Sequence, residues 1–320
     1  LTRFIQCLTT PQHDIRDELK AGLNAEHAHV SPKYLYDALG SKLFEAICEL
    51  PEYYPTRTEA GIFAERAEAI AASVGRGATL IDLGAGNCTK AAKLFPALRP
   101  SQYAPVDISV DFLRDAVGRL QMQFPQIDMI GVGMDFSSGL ALPEAVNDDN
   151  RLFFYPGSSI GNFMPDEALA FLRRVHAACM HGDKANGGIL IGVDLVKEKG
   201  VLDLAYDDAL GVTAAFNLNI LRHLNLLLDA DFELRAWRHR GFFNVERSRV
   251  EMHLESEIDQ VVSWAGGERQ FARGERIHTE NSYKYTQDNF IAMLRQAGFG
   301  DVAAWTDPAG WFLVCHARAA

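Results

Sequence analysis

Thr79-Leu80-Ile81-Asp82-Leu83-Gly84-Ala85-Gly86-Asn87-Cys88-Thr89-Lys90 is the stretch on which the fold turns. Thr79–Leu83 is a short apolar run of strand length. Gly84 and Gly86 let the backbone turn tightly and let a ligand come close to it, and a helix is expected over Thr89–Ala97. The pattern is Gly-x-Gly followed by Asn, without the third glycine of a dinucleotide fingerprint. A plain strand-to-helix turn would also explain it, so its context has to decide.

Outward from the loop, short apolar runs alternate with amphipathic stretches. Tyr103–Val106, Ile127–Val132, Arg151–Tyr155 and Gly188–Val193 read as strands. Val110–Phe124 and Pro165–Cys179 read as helices, the first with Phe112, Leu113, Val117 and Leu120 on one side. Strands spaced by helices are βαβ units and specify a parallel sheet. Upstream, Glu59–Ala72 reads as a helix, and Pro51 and Pro55 around Tyr53-Tyr54 are expected to prevent a continuous helix there. After Val193 the rhythm breaks into a long helical stretch, Val212–Leu228, and into alternating segments, Phe242–Val245 and Ser248–Leu254, of antiparallel character. It resumes with a helix over Thr286–Gly298 and the runs Val302–Trp305 and Trp311–His316. The short link Asp307-Pro308-Ala309-Gly310 permits only a hairpin, so one of these two runs must be antiparallel.

This chain order resembles the class I S-adenosylmethionine methyltransferases. The expected fold is α/β: a doubly wound, Rossmann-like core with a terminal antiparallel hairpin, plus a second α+β domain that binds substrate. The expected ranges are 58–193 and 283–320 for the core, and 1–57 and 194–282 for the second domain. The chain of 320 residues is long enough for both. Its 31 Lys and Arg against 42 Asp and Glu give a net charge of −11, which disfavours nucleic acid as a partner. Five scattered cysteines, Cys7, Cys48, Cys88, Cys179 and Cys315, form neither a disulfide framework nor a zinc set, so no metal is expected. No run approaches the ~20 apolar residues of a membrane span, and Leu1–Glu18 lacks a signal-peptide core. The expectation is a cytoplasmic monomer without a membrane partner.

Beyond the glycine loop, Asp107 ends the second strand, placed to accept both hydroxyls of a ribose. Its alternative is a helix cap, a role Ser109 can also fill. Asp135-Phe136 follows the third strand, where methyltransferases place an acid on the adenine amino group and an aromatic on the ring; a solvated acid and a core Phe are the alternative. In Gly157-Ser158-Ser159-Ile160-Gly161-Asn162, glycines expose backbone amides, and Asn162 offers both donor and acceptor.

Longer blocks make the likeness specific. Tyr34 to Phe44, Leu50 to Glu59, Ser159 to Asn162, Gly192 to Lys197, Ala205 to Asp208, Gly211 to Asn217, Val250 to Met252 and Gly274 to Lys284 together resemble the L-histidine Nα-methyltransferases of ergothioneine biosynthesis. The resemblance covers nearly the whole chain. It implies S-adenosyl-L-methionine as cofactor, S-adenosyl-L-homocysteine as its product, and trimethylation of the α-amine of L-histidine to hercynine. It implies cofactor contacts at Gly84, Gly86, Lys90, Asp107, Asp135 and Phe136. Asn162 and Tyr206, the implied catalytic pair, would hold the amino-acid end, with Gly157 nearby. Glu280 and Ser282 would recognise the imidazole beside Tyr53, with Tyr36, Phe44 and Met252 as walls. Without the resemblance, Phe44 and Met252 would read as core, Tyr206 as a helix-face residue and Glu280 as a loop acid. Competing functions are the same fold acting on tryptophan or a histidine derivative, a non-catalytic cofactor-binding module, and an NAD oxidoreductase.

Overall fold

The apolar runs around the glycine loop fold as one array. The computed structural model describes residues 3–7, 12–137, 139–181 and 184–320. What was expected of residues 1–2, 8–11, 138 and 182–183 lies outside the described residues. Along the chain come β1 (Arg3–Gln6), β2 (Thr79–Leu83), β3 (Gln102–Asp107), β4 (Asp128–Gly133) and β5 (Arg151–Tyr155). They are followed by β6 (Met180–His181), β7 (Lys184–Ala185) and β8 (Gly187–Asp194). In the main sheet the order is β1-β4-β3-β2-β5-β8, followed by the terminal strands Phe312–Ala319 and Phe299–Thr306. All neighbours from β1 to β8 run parallel, and the last two strands form the expected antiparallel hairpin. A strand order that reverses at β2 is a topological switch point, and ligands bind at the carboxyl ends of the strands there.

The sheet is covered by apolar helix faces. Leu80, Tyr103, Phe154 and Leu190 pack with Ile62, Phe63 and Ile70 of the helix Tyr54–Val74 and with Leu113 and Val117 of the helix Val110–Gln123. Three expectations are corrected here. Arg3–Gln6 pair with β4, so the start of the chain adds to the core sheet instead of the second domain. The helix expected from Glu59 begins at Tyr54, because Pro55 sits in its first turn, where the missing N–H costs nothing. The helix expected over Thr89–Ala97 is two short ones, Thr89–Ala92 and Phe95–Leu98; Pro96 cannot donate to Ala92 and breaks the run.

Among the described residues, the chain divides into two compact units: Leu1–Leu8, Pro55–Val196 and Lys284–Ala320 form one, and Thr9–Tyr54 with Lys197–Tyr283 the other. The second unit carries an antiparallel sheet of β9 (Trp237–Asn244), β10 (Arg249–Ser256) and β13 (Arg276–Tyr283), in the order β13-β10-β9. A separate hairpin pairs β11 (Gln260–Trp264) with β12 (Gly267–Phe271). The helix Val212–Leu228 buries Thr213, Phe216, Asn217, Ile220, Leu221, Leu224 and Leu228, the three-and-four spacing of one face. No helix of the described residues is long and apolar enough to cross a membrane.

Candidate active site

At the carboxyl ends of the core strands, four loops are tied to each other. Gly84 and Gly86 take positive φ of 70° and 51°, conformations that favour glycine. The Phe136 ring lies over the first turn: a Cβ on Gly84 would stand 3.8 Å from Phe136 Cζ. Asp107 accepts the Gly86 N–H at 2.9 Å and the Ser109 N–H at 2.8 Å, one on each carboxylate oxygen. Each oxygen keeps a second lone pair for a ligand hydroxyl. Asp135 accepts the Ser137 N–H at 3.0 Å and is half-buried beside Phe136, whose ring meets Tyr155 and Phe171 edge-on or tilted.

Two carboxylates that the sequence reading did not single out organise this end of the unit. Glu59 is fully buried, pairs with Lys90 Nζ at 2.7 Å and accepts the Gly157 N–H at 2.7 Å. It therefore fixes the loop after β5, where Gly157 and Ser158 both take left-handed backbone. Asp82, at the end of β2, accepts the Tyr103 hydroxyl at 2.7 Å through Oδ2, while its buried Oδ1 has no partner. Burial, against the opposing Tyr103 hydrogen bond, raises its pKa to about 7, with Asp107 adding to the rise. An open carboxylate oxygen at the root of a glycine loop suits the ammonium of an amino acid, and Asp107 suits a ribose. Gly84, Gly86, Asp82, Asp107 and Phe136 thus carry groups of the kind that S-adenosylmethionine would require, with Lys90 held by Glu59. Asn162 is half-buried at the end of the short helical turn Ser159–Asn162 of the same unit.

The second unit contains a small pocket lined by Tyr36, Phe44, Ile47, Tyr53, Ala205, Tyr206, Thr213, Phe216, Met252 and Glu280. Its walls are local consequences of the sequence. Asp37 caps the helix Ala38–Cys48 by accepting the Gly40 N–H at 2.7 Å, with Tyr36 just before the cap and Phe44 within the helix. Tyr36, Phe44 and Phe216 meet at centroid distances of 5.5–6.0 Å, and Tyr53 lies 6.1 Å from Phe44 and 6.0 Å from Tyr206. Glu280 and Met252 are directly opposite on β13 and β10. The pairing then slips, so that His253 faces His278 and Thr279 is left unpaired. That bulge reverses the normal alternation, so Glu280 and Ser282 are buried while His278 is only partly covered.

The Tyr206 hydroxyl donates to Ser282 Oγ at 2.9 Å in the interior. Burial first, then Tyr206, Cys48, Tyr36 and Glu280, push the Tyr53 phenol well above its ordinary pKa, so it stays a protonated donor. Thr213 lines the same pocket with a buried hydroxyl that lacks a partner. It was missed individually, although it stands in a block quoted for its family likeness. The structure thus gathers Tyr36, Phe44, Tyr53, Tyr206, Met252, Glu280 and, through Tyr206, Ser282 in one unit. The loops of Gly84, Gly86, Lys90, Asp107, Asp135, Phe136 and Gly157 belong to the other. The expected pair Asn162 and Tyr206 takes one residue from each.

The profile of a family described as "Histidine-specific methyltransferase, SAM-dependent" matches residues 15–319. A histidine N-alpha-methyltransferase of Mycolicibacterium smegmatis is 40% identical over 304 residues, which are 93% of this chain and 92% of that one. Ergothioneine biosynthesis protein 1 of Neurospora crassa is 31% identical over 281 residues, 85% of this chain and 31% of that one. Among solved structures, the CcbJ methyltransferase of Streptomyces caelestis aligns with a TM-score of 0.50 at 15% identity, over 89% of this chain and 100% of that one, a likeness of fold alone.

Proposed function

Because the chain belongs to the family of histidine-specific, S-adenosylmethionine-dependent methyltransferases, we propose that it methylates the α-amine of L-histidine three times, giving hercynine, the first step of ergothioneine synthesis. One observation carries the choice of substrate: a buried Glu280 faces Met252 in a small aromatic pocket beside the Tyr206–Ser282 pair. An imidazole is a flat, half-apolar ring with a nitrogen at each edge. Tyr36, Phe44, Tyr53 and Phe216 suit its faces, and a carboxylate and a hydroxyl suit its nitrogens.

S-adenosylmethionine supplies an activated methyl group when bound, for which Gly84, Gly86, Asp82, Asp107, Asp135 and Phe136 are the proposed contacts and Lys90 the support. The rest of the task is positional: the residues must hold a neutral amine in line with that methyl. An ammonium has no lone pair, so one proton leaves before each of the three transfers. Tyr53, held protonated by its burial, serves as a donor and not as the base. Tyr206 and Asn162 are the proposed holders of the amino-acid end, with Gly157 as a further proposed contact, and solvent takes the protons. The acidic net charge suits a partner set of small molecules, and we place the enzyme as a cytoplasmic monomer without nucleic acid or membrane partners.

A hydrogen-bonding site rejects analogues that leave its buried groups unpaired. Glu280→Ala should therefore raise the KM for histidine at least tenfold, roughly the worth of one charged hydrogen bond, and leave S-adenosylhomocysteine binding within twofold. Equal losses in both would remove Glu280 from imidazole recognition.

A further inference from the structure

Behind the amino-acid pocket lies a closed polar chain that the reaction above does not use. Asn217 is fully buried on the helix Val212–Leu228. Its Nδ2 lies 3.1 Å from the His253 carbonyl and 2.9 Å from His239 Nδ1. Its Oδ1 lies 2.7 Å from Thr279 Oγ1, the hydroxyl of the bulged residue of β13. The same hydroxyl is 3.1 Å from the Met252 carbonyl, and with one proton it donates to one of the two at a time. His239 Nε2 lies 2.8 Å from the backbone carbonyl of Tyr206.

The donors and acceptors admit one assignment. The His253 carbonyl only accepts, so the amide nitrogen of Asn217 must face it. The second proton of that nitrogen then points at His239 Nδ1, which must be a bare acceptor. The ring proton therefore sits on Nε2 and is donated to Tyr206. We propose that Asn217 and His239 are positioning residues for the amino-acid pocket: the neutral Nε2–H form of His239 holds the end of the helix Lys199–Tyr206, and Asn217 pins the bulge that turns Glu280 inward. The proposal deepens the histidine-methylating reading and rests on it. It touches three pocket residues at once, Tyr206, Met252 and, through its neighbour Thr279, Glu280.

The surroundings maintain this protonation state. Burial lowers the His239 pKa, against the Tyr206 carbonyl and the Asp207 and Asp208 carboxylates, the charged groups facing it from the end of the preceding helix. The helix carrying Asn217 presents the amide, and β10 presents the His253 carbonyl. Gly241 on β9 leaves room for this contact: a Cβ there would stand 2.3 Å from the Tyr206 carbonyl oxygen and 3.0 Å from His239 Nε2.

The test compares His239→Gln, whose amide can still donate to Tyr206, with His239→Phe, which fills the space without a donor. We expect His239→Phe to raise the KM for histidine roughly tenfold, the scale of one lost buried hydrogen bond, with kcat changed less than threefold and S-adenosylhomocysteine binding unchanged. His239→Gln should return most of that loss. Equal behaviour of the two variants, or wild-type kinetics in both, would overturn the proposal. Should His239→Phe fail to fold, nitrogen-15 spectra of histidine-labelled wild-type protein at pH 7.5 decide: an Nε2–H signal for His239 supports the chain, and an Nδ1–H or doubly protonated ring overturns it. A wild-type protein that does not methylate histidine would refute the proposed substrate, while the spectrum would still judge the network.

Discussion

Asp82 carries two opposing demands. Its buried Oδ1 is open, and its pKa of about 7 lies far above the ordinary 3.8, mainly because burial disfavours the charged form. A raised carboxyl pKa means that the folded state holds its proton longer than the unfolded chain does. The stability this contributes is complete below pH 3.8 and is lost as pH rises through about 7. Asp82→Asn, which stays neutral, should raise stability at pH 8 by on the order of 1–3 kcal/mol and by much less at pH 5, as read by urea denaturation. The same variant should weaken S-adenosylmethionine binding, since an open carboxylate is lost. An equal stability change at both pH values would contradict the cause assigned to the shift. Strand β2 and its glycine turn are plain in the sequence, as are Asp107 and Phe136. The open oxygen of Asp82 is not, because it depends on Tyr103, 21 positions away, occupying the other one.

At the scale of elements, the loop after β5 owes its shape to a side chain from a distant helix. Glu59 reaches Lys90 and the Gly157 N–H, and it can do so because Gly192 on β8 has no Cβ; one placed there would stand 2.0 Å from Glu59 Oε1 and 3.0 Å from Phe312 Cε1. Gly192→Ala should therefore cost about 1–3 kcal/mol and weaken S-adenosylhomocysteine binding as the Gly157 loop loses its anchor. A thermal melt and a ligand titration both unchanged would show that Glu59 does not set this loop. Local periodicity gave the βα rhythm correctly because each strand and helix there is specified by its own residues. It could not give the inward turn of Glu280. Residues 278, 280 and 282 share one face in a regular strand, and only the unpaired Thr279 changes that parity. Arg3–Gln6 were unreadable for a related reason: four half-polar residues become a strand only because β4 offers an edge.

At the scale of the whole molecule, neutral histidines shielded from water bound the acid side of stability. Burial, with Arg318 adding to it, lowers His316 to about 4, and burial with His253 lowers His278 to about 4 as well. Groups whose folded pKa lies below the unfolded value of roughly 6.5 favour folding above that pH, and the benefit is lost as pH falls toward 4. The melting temperature should fall between pH 6.5 and 4, and His316→Asn should shrink the accompanying loss of unfolding free energy by on the order of 2–3 kcal/mol. An unchanged fall in that variant would refute the assignment. The length of the chain is divided between a doubly wound core, interrupted after Val196, and a second unit that holds the aromatic pocket. Both the core and most pocket residues were legible, the core from periodicity and the pocket from long family-like blocks. The packing that selects charge states and parity was not.

The central claim is the trimethylation of histidine. Mass spectrometry of purified protein incubated with S-adenosylmethionine and an equimolar mixture of the twenty amino acids tests it most directly. The account predicts that histidine alone gains three methyl groups, all on the α-nitrogen, with the cofactor converted to S-adenosylhomocysteine. A gain on another amino acid in preference to histidine, methylation of the ring, or no methyl gain by a protein that binds the cofactor would contradict it.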